Sequence, residues 1–71
     1  MERYKNISGN SPITHYKIED DRIIVWFKGG KFYSYSYRKA GRLHVETMKS
    51  LAYKGAGLSA YITRNVKFDY D

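Results

Sequence analysis

Residues 22–37 read RIIVWFKGGKFYSYSY, and this stretch decides the fold. Its first half, residues 22–27, is rich in β-branched and aromatic residues, which is typical of a β-strand. Its second half, residues 31–37, alternates tyrosine with serine, and this period of two also predicts a strand. Two glycines lie between them and favour a tight hairpin, because glycine adopts the positive φ angles that such turns require. The stretch therefore predicts two antiparallel neighbours in a sheet.

The length of the hairpin loop sets which side chains share a face of this sheet. A two-residue loop, Gly29-Gly30, would place Trp26 opposite Tyr33. A three-residue loop, residues 28–30, would shift the register by one and place Val25 opposite Tyr33. We expect the three-residue loop, because it collects the apolar side chains on one face. That buried face would hold Ile23, Val25, Phe27, Tyr33 and Tyr35, and the other face would hold Ile24, Trp26, Phe32, Ser34 and Ser36.

The flanking sequence predicts one more strand and two helices. Residues 13–18 mix β-branched and aromatic side chains and predict a strand that precedes the hairpin. After residue 39 the apolar residues follow a spacing of three and four, which indicates a helix over residues 40–53. Gly55 would end this helix in a left-handed conformation. A second, shorter helix is predicted by apolar residues between 58 and 66, and Phe68 or Tyr70 in the tail is expected to return to the core.

These elements predict an α+β fold: a three-stranded antiparallel β-meander with one longer and one shorter C-terminal helix packed on one face. The chain of 71 residues allows a single domain. Residues 1–11 are mainly polar and are expected to form a flexible lead-in, so the domain would cover residues 12–71. A domain of this size has a stability of about 3–5 kcal/mol. The chain has no cysteine, so aromatic side chains must supply much of the core.

The charge and hydropathy of the chain favour a protein that binds polyanions over one that spans a membrane. Thirteen Lys and Arg residues face seven Asp and Glu residues, which gives a net charge of +6. Such an excess favours attraction to polyanions, and to nucleic acids above all. No apolar run approaches the ~20 residues of a transmembrane helix, and the N-terminus lacks the apolar stretch of a signal peptide. We therefore expect a cytoplasmic protein that is not bound to a membrane.

Short motifs follow one another along the chain: Ser11-x-Ile13, Tyr16, Ile23-x-Val25-x-Phe27, Gly30, Tyr33-x-Tyr35, Leu51-Ala52, Gly55, Leu58 and Tyr61-Ile62. Together they resemble the KTSC family, a small domain found at the C-terminus of some lysyl-tRNA synthetases and as stand-alone bacterial or phage proteins. The resemblance covers roughly residues 10 to 70 and implies a non-catalytic domain for which RNA binding is the suggested role. The family usually carries a proline after the third strand and Ser-x-Gly before the second helix, where this chain has Ala40-Gly41 and Lys54-Gly55.

Basic and aromatic residues along the predicted third strand form the candidate binding surface. Aromatic rings stack on nucleic-acid bases, and cationic side chains contact phosphates. The expected partner is RNA or another nucleic acid, bound on a sheet face. The residues predicted to stack are Trp26 and Phe32, and those predicted to contact phosphates are Lys28, Lys31, Arg38, Lys39 and Arg42. The alternative is a protein-interaction or homodimerisation module that uses the Trp26 and Phe32 face.

No catalytic or metal site is predicted. His15 and His44 are the only histidines, and they lack the spacing of a metal motif. Ser34, Ser36, His44 and Glu46 include the side-chain types of a hydrolytic triad, but no strained nucleophile turn accompanies them. We therefore expect a protein that is not an enzyme and that needs no cofactor.

Overall fold

The computed structural model describes residues 1–71 and shows a small α+β fold built on a four-stranded antiparallel sheet. The strands lie in the order of the chain: β1 (Glu2–Arg3), β2 (Ile13–Glu19), β3 (Arg22–Phe27) and β4 (Phe32–Ser36). The last three are the predicted meander. The prediction of three strands was therefore one strand short, because β1 is too brief to show a period of its own.

The N-terminal segment is part of the folded domain, contrary to the prediction of a lead-in outside it. Glu2 pairs with Tyr16 and Arg3 pairs with His15 on the outer edge of β2. The next residue, Tyr4, is only 3% exposed. A single buried aromatic residue in a polar stretch gives no recognisable pattern. The burial of Tyr4 follows from the pairing of β1 with β2, which the sequence of residues 1–11 does not indicate.

The hairpin between β3 and β4 has the predicted three-residue loop. Val25 lies opposite Tyr33, and Ile23 lies opposite Tyr35. The Gly30 amide donates to the carbonyl of Phe27 at 3.1 Å, which closes a four-residue turn. Gly29 and Gly30 have φ angles of 91° and 90°, which side chains larger than glycine rarely adopt.

Three helices follow the sheet: α1 (Tyr37–Ala40), α2 (Arg42–Lys54) and α3 (Leu58–Tyr61), and a π-helical turn, Ile62–Val66, continues α3. The long helix was predicted to start at residue 40. It starts two residues later because Gly41, with a φ of 99°, separates it from α1. Ser36 caps α1 by accepting a hydrogen bond from the Lys39 amide at 3.2 Å.

The core lies between the helices and one face of the sheet, here called the inner face. Strand residues Ile23, Val25 and Tyr35 are buried there. They pack in one cluster with apolar side chains of α2, namely Val45, Met48 and Ala52. In the tail, the ring of Tyr70 lies 4.7 Å from the ring of Tyr33, whereas Phe68 is 75% exposed. Tyr70 therefore packs on the inner face, whereas Phe68 borders the same cavity as Tyr33 and Tyr35 but stays largely open to solvent.

Candidate functional site

The face of the sheet opposite the helices, here called the outer face, carries a row of basic and aromatic side chains. Strand pairing aligns Arg3 with His15, His15 with Trp26, and Trp26 with Phe32. Directly opposed residues in an antiparallel sheet project from the same face. The row therefore crosses all four strands, near the end of the sheet that holds the β3–β4 hairpin.

Trp26 on β3 and Phe32 on the edge strand β4 form a stacked pair at this end of the sheet. Their ring centroids are 5.6 Å apart and their planes differ by 29°. Phe32 is 59% exposed and Trp26 is half-buried. Large apolar rings that pack on each other and remain open to solvent offer a flat surface for another ring. These two predicted stacking residues are therefore brought together and left accessible.

A β-bulge in β2 places His15 beside Trp26. Ile13 pairs with Phe27 and His15 pairs with Trp26, so Thr14 is an extra residue on β2. The Thr14 hydroxyl donates to the Trp26 carbonyl at 3.3 Å. Because the bulge changes the alternation by one residue, both Ile13 and His15 take the faces that suit them. Ile13 is buried in the core, and His15 joins the outer face.

The hairpin end of the sheet is basic. Lys28 and Lys31 are exposed on the hairpin, and none of the chain's ion pairs involves them or Arg3. A concavity of about 450 Å³, here called the basic groove, opens beside His15, and no acidic residue lines it. Its polar side chains are Arg3, Lys5, Asn6, Thr14, His15 and Lys28. The positive charges of Arg3, Lys28 and Lys31 are therefore not neutralised by a carboxylate and are able to bind an anion.

The remaining predicted phosphate contacts lie at the other end of β4. Arg38 and Lys39 are exposed on α1, and Arg42 begins α2 with its guanidinium 5.5 Å from the Tyr37 ring centroid. Phe32 and Ser36 are separated by about 13 Å at ~3.3 Å per residue, and α1 starts beyond Ser36. The structure therefore separates these three cations from the stacked pair, whereas Lys28 and Lys31 lie near it.

Acidic residues gather at this second end. Arg22 forms ion pairs with Asp21 at 3.2 Å and with Asp71 at 3.7 Å. A hydrogen bond from Arg22 lowers the pKa of the Asp21 carboxyl. The Asp71 carboxylate also accepts hydrogen bonds from the hydroxyls of Ser34 at 3.0 Å and Ser36 at 2.7 Å. The outer face is thus basic at the hairpin end and mixed in charge at the opposite end.

The residues with the side-chain types of a hydrolytic triad do not converge. His44 Nδ1 lies 2.7 Å from the Tyr61 hydroxyl. Glu46 accepts a hydrogen bond from the Tyr37 hydroxyl, which lowers the pKa of Glu46 and raises that of Tyr37. Ser34 and Ser36 both donate to Asp71. None of these four side chains therefore has another of the four as its hydrogen-bond partner.

Sequence reasoning missed Arg3, Lys5 and His15. Arg3 and Lys5 flank a single aromatic residue in a polar stretch, which is too short a pattern to predict a strand. Only the pairing with β2 shows that Arg3 and His15 share a face.

No family model, curated protein or solved structure matches the chain. No helix has both the length and the apolar character needed to cross a bilayer. No group of three or more His, Cys, Asp or Glu side chains is arranged to hold a metal ion.

Proposed function

We propose that this protein is a non-catalytic nucleic-acid-binding domain that takes single strands, with RNA as the first choice. The observation that carries the proposal is the stacked pair of half-buried Trp26 and exposed Phe32, beside Lys28 and Lys31, which take part in no ion pair. Stacking on aromatic side chains contributes about 1–3 kcal/mol per base. Bases inside a duplex already stack on each other, so a flat aromatic surface favours unpaired ones.

Charge supports the same proposal. The net charge of +6 attracts polyanions at long range. The two hairpin lysines place positive charge close to the stacked pair. Arg38, Lys39 and Arg42 add to this long-range attraction from the far end of β4. The resemblance to KTSC domains, which stays a prediction, also favours RNA.

The test is a titration with single-stranded and duplex RNA and DNA at two ionic strengths. Trp26 is the only tryptophan, so its fluorescence reports directly on the proposed site. We expect single strands to change this fluorescence, to bind more tightly than duplexes, and to lose affinity as salt rises, because phosphate contacts release bound counterions.

Phe32→Ala should reduce the affinity for single strands about 5- to 150-fold, which corresponds to the loss of one stacking contact. Labelled oligonucleotide anisotropy measures the affinity, and Trp26 stays in place. The matched control is Phe68→Ala, which removes a ring that is also mainly exposed, 75% against 59% for Phe32, and should leave affinity unchanged. Both variants should unfold with nearly the same midpoint as the unsubstituted protein, because both rings are mainly exposed.

Two results would contradict the proposal. Equal effects of Phe32→Ala and Phe68→Ala would show that the stacked pair is not the site. If the protein binds no nucleic acid and its mass in light scattering rises with concentration in a Phe32-dependent way, the outer face is instead a homodimerisation surface.

A further inference from the structure

We propose that the basic groove is a phosphate-binding channel, and that a bound single strand crosses the sheet from Phe32 over Trp26 and His15 into this groove. This inference rests on the proposed function and adds the path of the strand and the residues that fix it. The path runs across the β-strands and does not follow β4 toward Arg38, Lys39 and Arg42.

The contents of the groove favour a polyanion. Arg3, Lys5, His15 and Lys28 all line it, and the lining contains no carboxylate. None of the chain's ion pairs involves Arg3, Lys5 or Lys28. By contrast, three other cations, Lys17, Arg22 and Lys49, have carboxylate partners. The cations of the groove are therefore free to contact phosphates without first losing a partner.

The backbone holds the two sides of the groove at a defined separation. On one side, the Tyr4 amide donates to the Thr14 carbonyl at 2.9 Å, which ties the segment after β1 to β2. On the other side, the Lys28 amide donates to the Pro12 carbonyl at 2.8 Å, which ties the hairpin loop to the start of β2. Arg3 and Lys28 therefore stand on opposite sides of β2, and a phosphate chain between them would contact both.

The row of side chains connects the groove to the stacked pair. Phe32, Trp26, His15 and Arg3 are successive neighbours across the four strands. Three strand spacings of ~4.8 Å make the row about 14 Å long. This length suits a few nucleotides, which is near the lower limit of the sites found on single-strand-binding domains.

The charges at the far end of the sheet disfavour the alternative path. A strand that followed β4 would pass the carboxylate of Asp71, which contacts the hydroxyls of both Ser34 and Ser36. Asp21 lies at the same end of the sheet, because Arg22 forms ion pairs with both Asp21 and Asp71. These carboxylates would repel a phosphate backbone, whereas the groove is lined by basic and uncharged residues and by no acidic one.

The experiment compares two double variants that remove the same charge. Arg3→Gln with Lys28→Gln removes two cations from the groove, and Arg38→Gln with Lys39→Gln removes two from α1. The probe is a labelled single-stranded oligonucleotide of about 10 nucleotides. The dependence of log K on log salt is measured for both variants and for the unsubstituted protein, and far-ultraviolet circular dichroism checks the fold.

We expect the groove variant to reduce the salt slope by about 1.4, since each phosphate contact contributes about 0.7 for single strands. The α1 variant should lower affinity slightly and keep the slope. Amide chemical shifts should move on binding at residues 3 and 15 and stay constant at residues 38 and 39.

The other outcomes separate the two proposals. Equal slope changes in both double variants, or a change confined to the α1 variant, would overturn the groove while leaving Phe32-dependent binding in place. If the unsubstituted protein binds no oligonucleotide at either ionic strength, both the groove and the proposed function are wrong.

Discussion

At the scale of single residues, Tyr35 shows that the alternation of tyrosine and serine in β4 directs tyrosine to the inner face. Its side chain is 2% exposed and lies opposite Ile23 on the inner face. Burial removes water from the phenol and raises its pKa to about 12, and the neighbouring phenols of Tyr33 and Tyr70 add to the effect. The alternating serines, by contrast, lie on the outer face or at its end.

Tyr35→Phe should protect the fold at alkaline pH. In the unfolded chain the phenol ionises near its ordinary pKa of 10, whereas the folded protein holds the proton up to about 12. The stabilisation from this site is therefore complete below pH 10 and is lost as pH rises from 10 to 12. Urea unfolding at pH 8 and pH 11 should show a smaller loss of stability for Tyr35→Phe than for the unsubstituted protein. Identical losses would mean that Tyr35 is not desolvated.

At the scale of elements, the junction between α2 and the N-terminal segment depends on one glycine. Gly55 ends α2 with a φ of 80°, and its carbonyl accepts a hydrogen bond from the Ile7 amide at 2.9 Å. A Cβ atom at this position would lie 2.5 Å from the Cβ of Lys5. The glycine thus serves both as a left-handed helix stop and as a site of close approach.

Gly55→Ala should destabilise the protein more than Gly30→Ala. Both positions have a similar positive φ, 80° and 90°, which costs alanine about 1–2 kcal/mol. Only Gly55 also has a neighbour within 3 Å, whereas a Cβ at Gly30 meets no atom within 4 Å. Urea denaturation gives both free energies of unfolding. Equal losses would contradict the packing of residues 5–7 against the end of α2.

At the scale of the whole molecule, segments from both ends of the chain cover part of each outer strand of the sheet. β1 pairs with β2 on one edge, and the Asp71 amide donates to the Ser34 carbonyl at 2.8 Å on the other. Covered edges reduce pairing with other chains. The buried ring of Tyr4 joins the N-terminal edge to the helices, since its hydroxyl lies 3.4 Å from the Leu58 amide.

Tyr4→Ala should lower the free energy of unfolding by about 3–5 kcal/mol, as the loss of a large buried ring does in other cores. Because this loss is about equal to the expected stability of the domain, the variant should have comparable folded and unfolded populations at 25 °C. Tyr53→Ala is the matched control, since that ring is 64% exposed and should cost about 1 kcal/mol or less. Thermal melting followed by circular dichroism distinguishes them, and similar melting temperatures would place Tyr4 outside the core.

Local sequence was sufficient for the central sheet and the long helix. The alternation of β3 and β4, together with two glycines that tolerate positive φ, predicted the hairpin register and the faces of Trp26 and Tyr35. The spacing of three and four predicted α2 to within two residues at its start and one at its end. These features depend on hydrogen bonds and φ angles among near neighbours, so a short stretch of sequence contains the information.

Tertiary structure alone decided the fourth strand and the assembly of the basic end. β1 forms because Glu2 and Arg3 meet residues about twelve positions or more away, and two residues have no period to recognise. The bulge at Thr14 places His15 in the aromatic row, and the separation of Arg38 from Phe32 follows from the path of the chain after β4. Such contacts join residues far apart in sequence, and their energy comes from pairing and burial that no local pattern encodes.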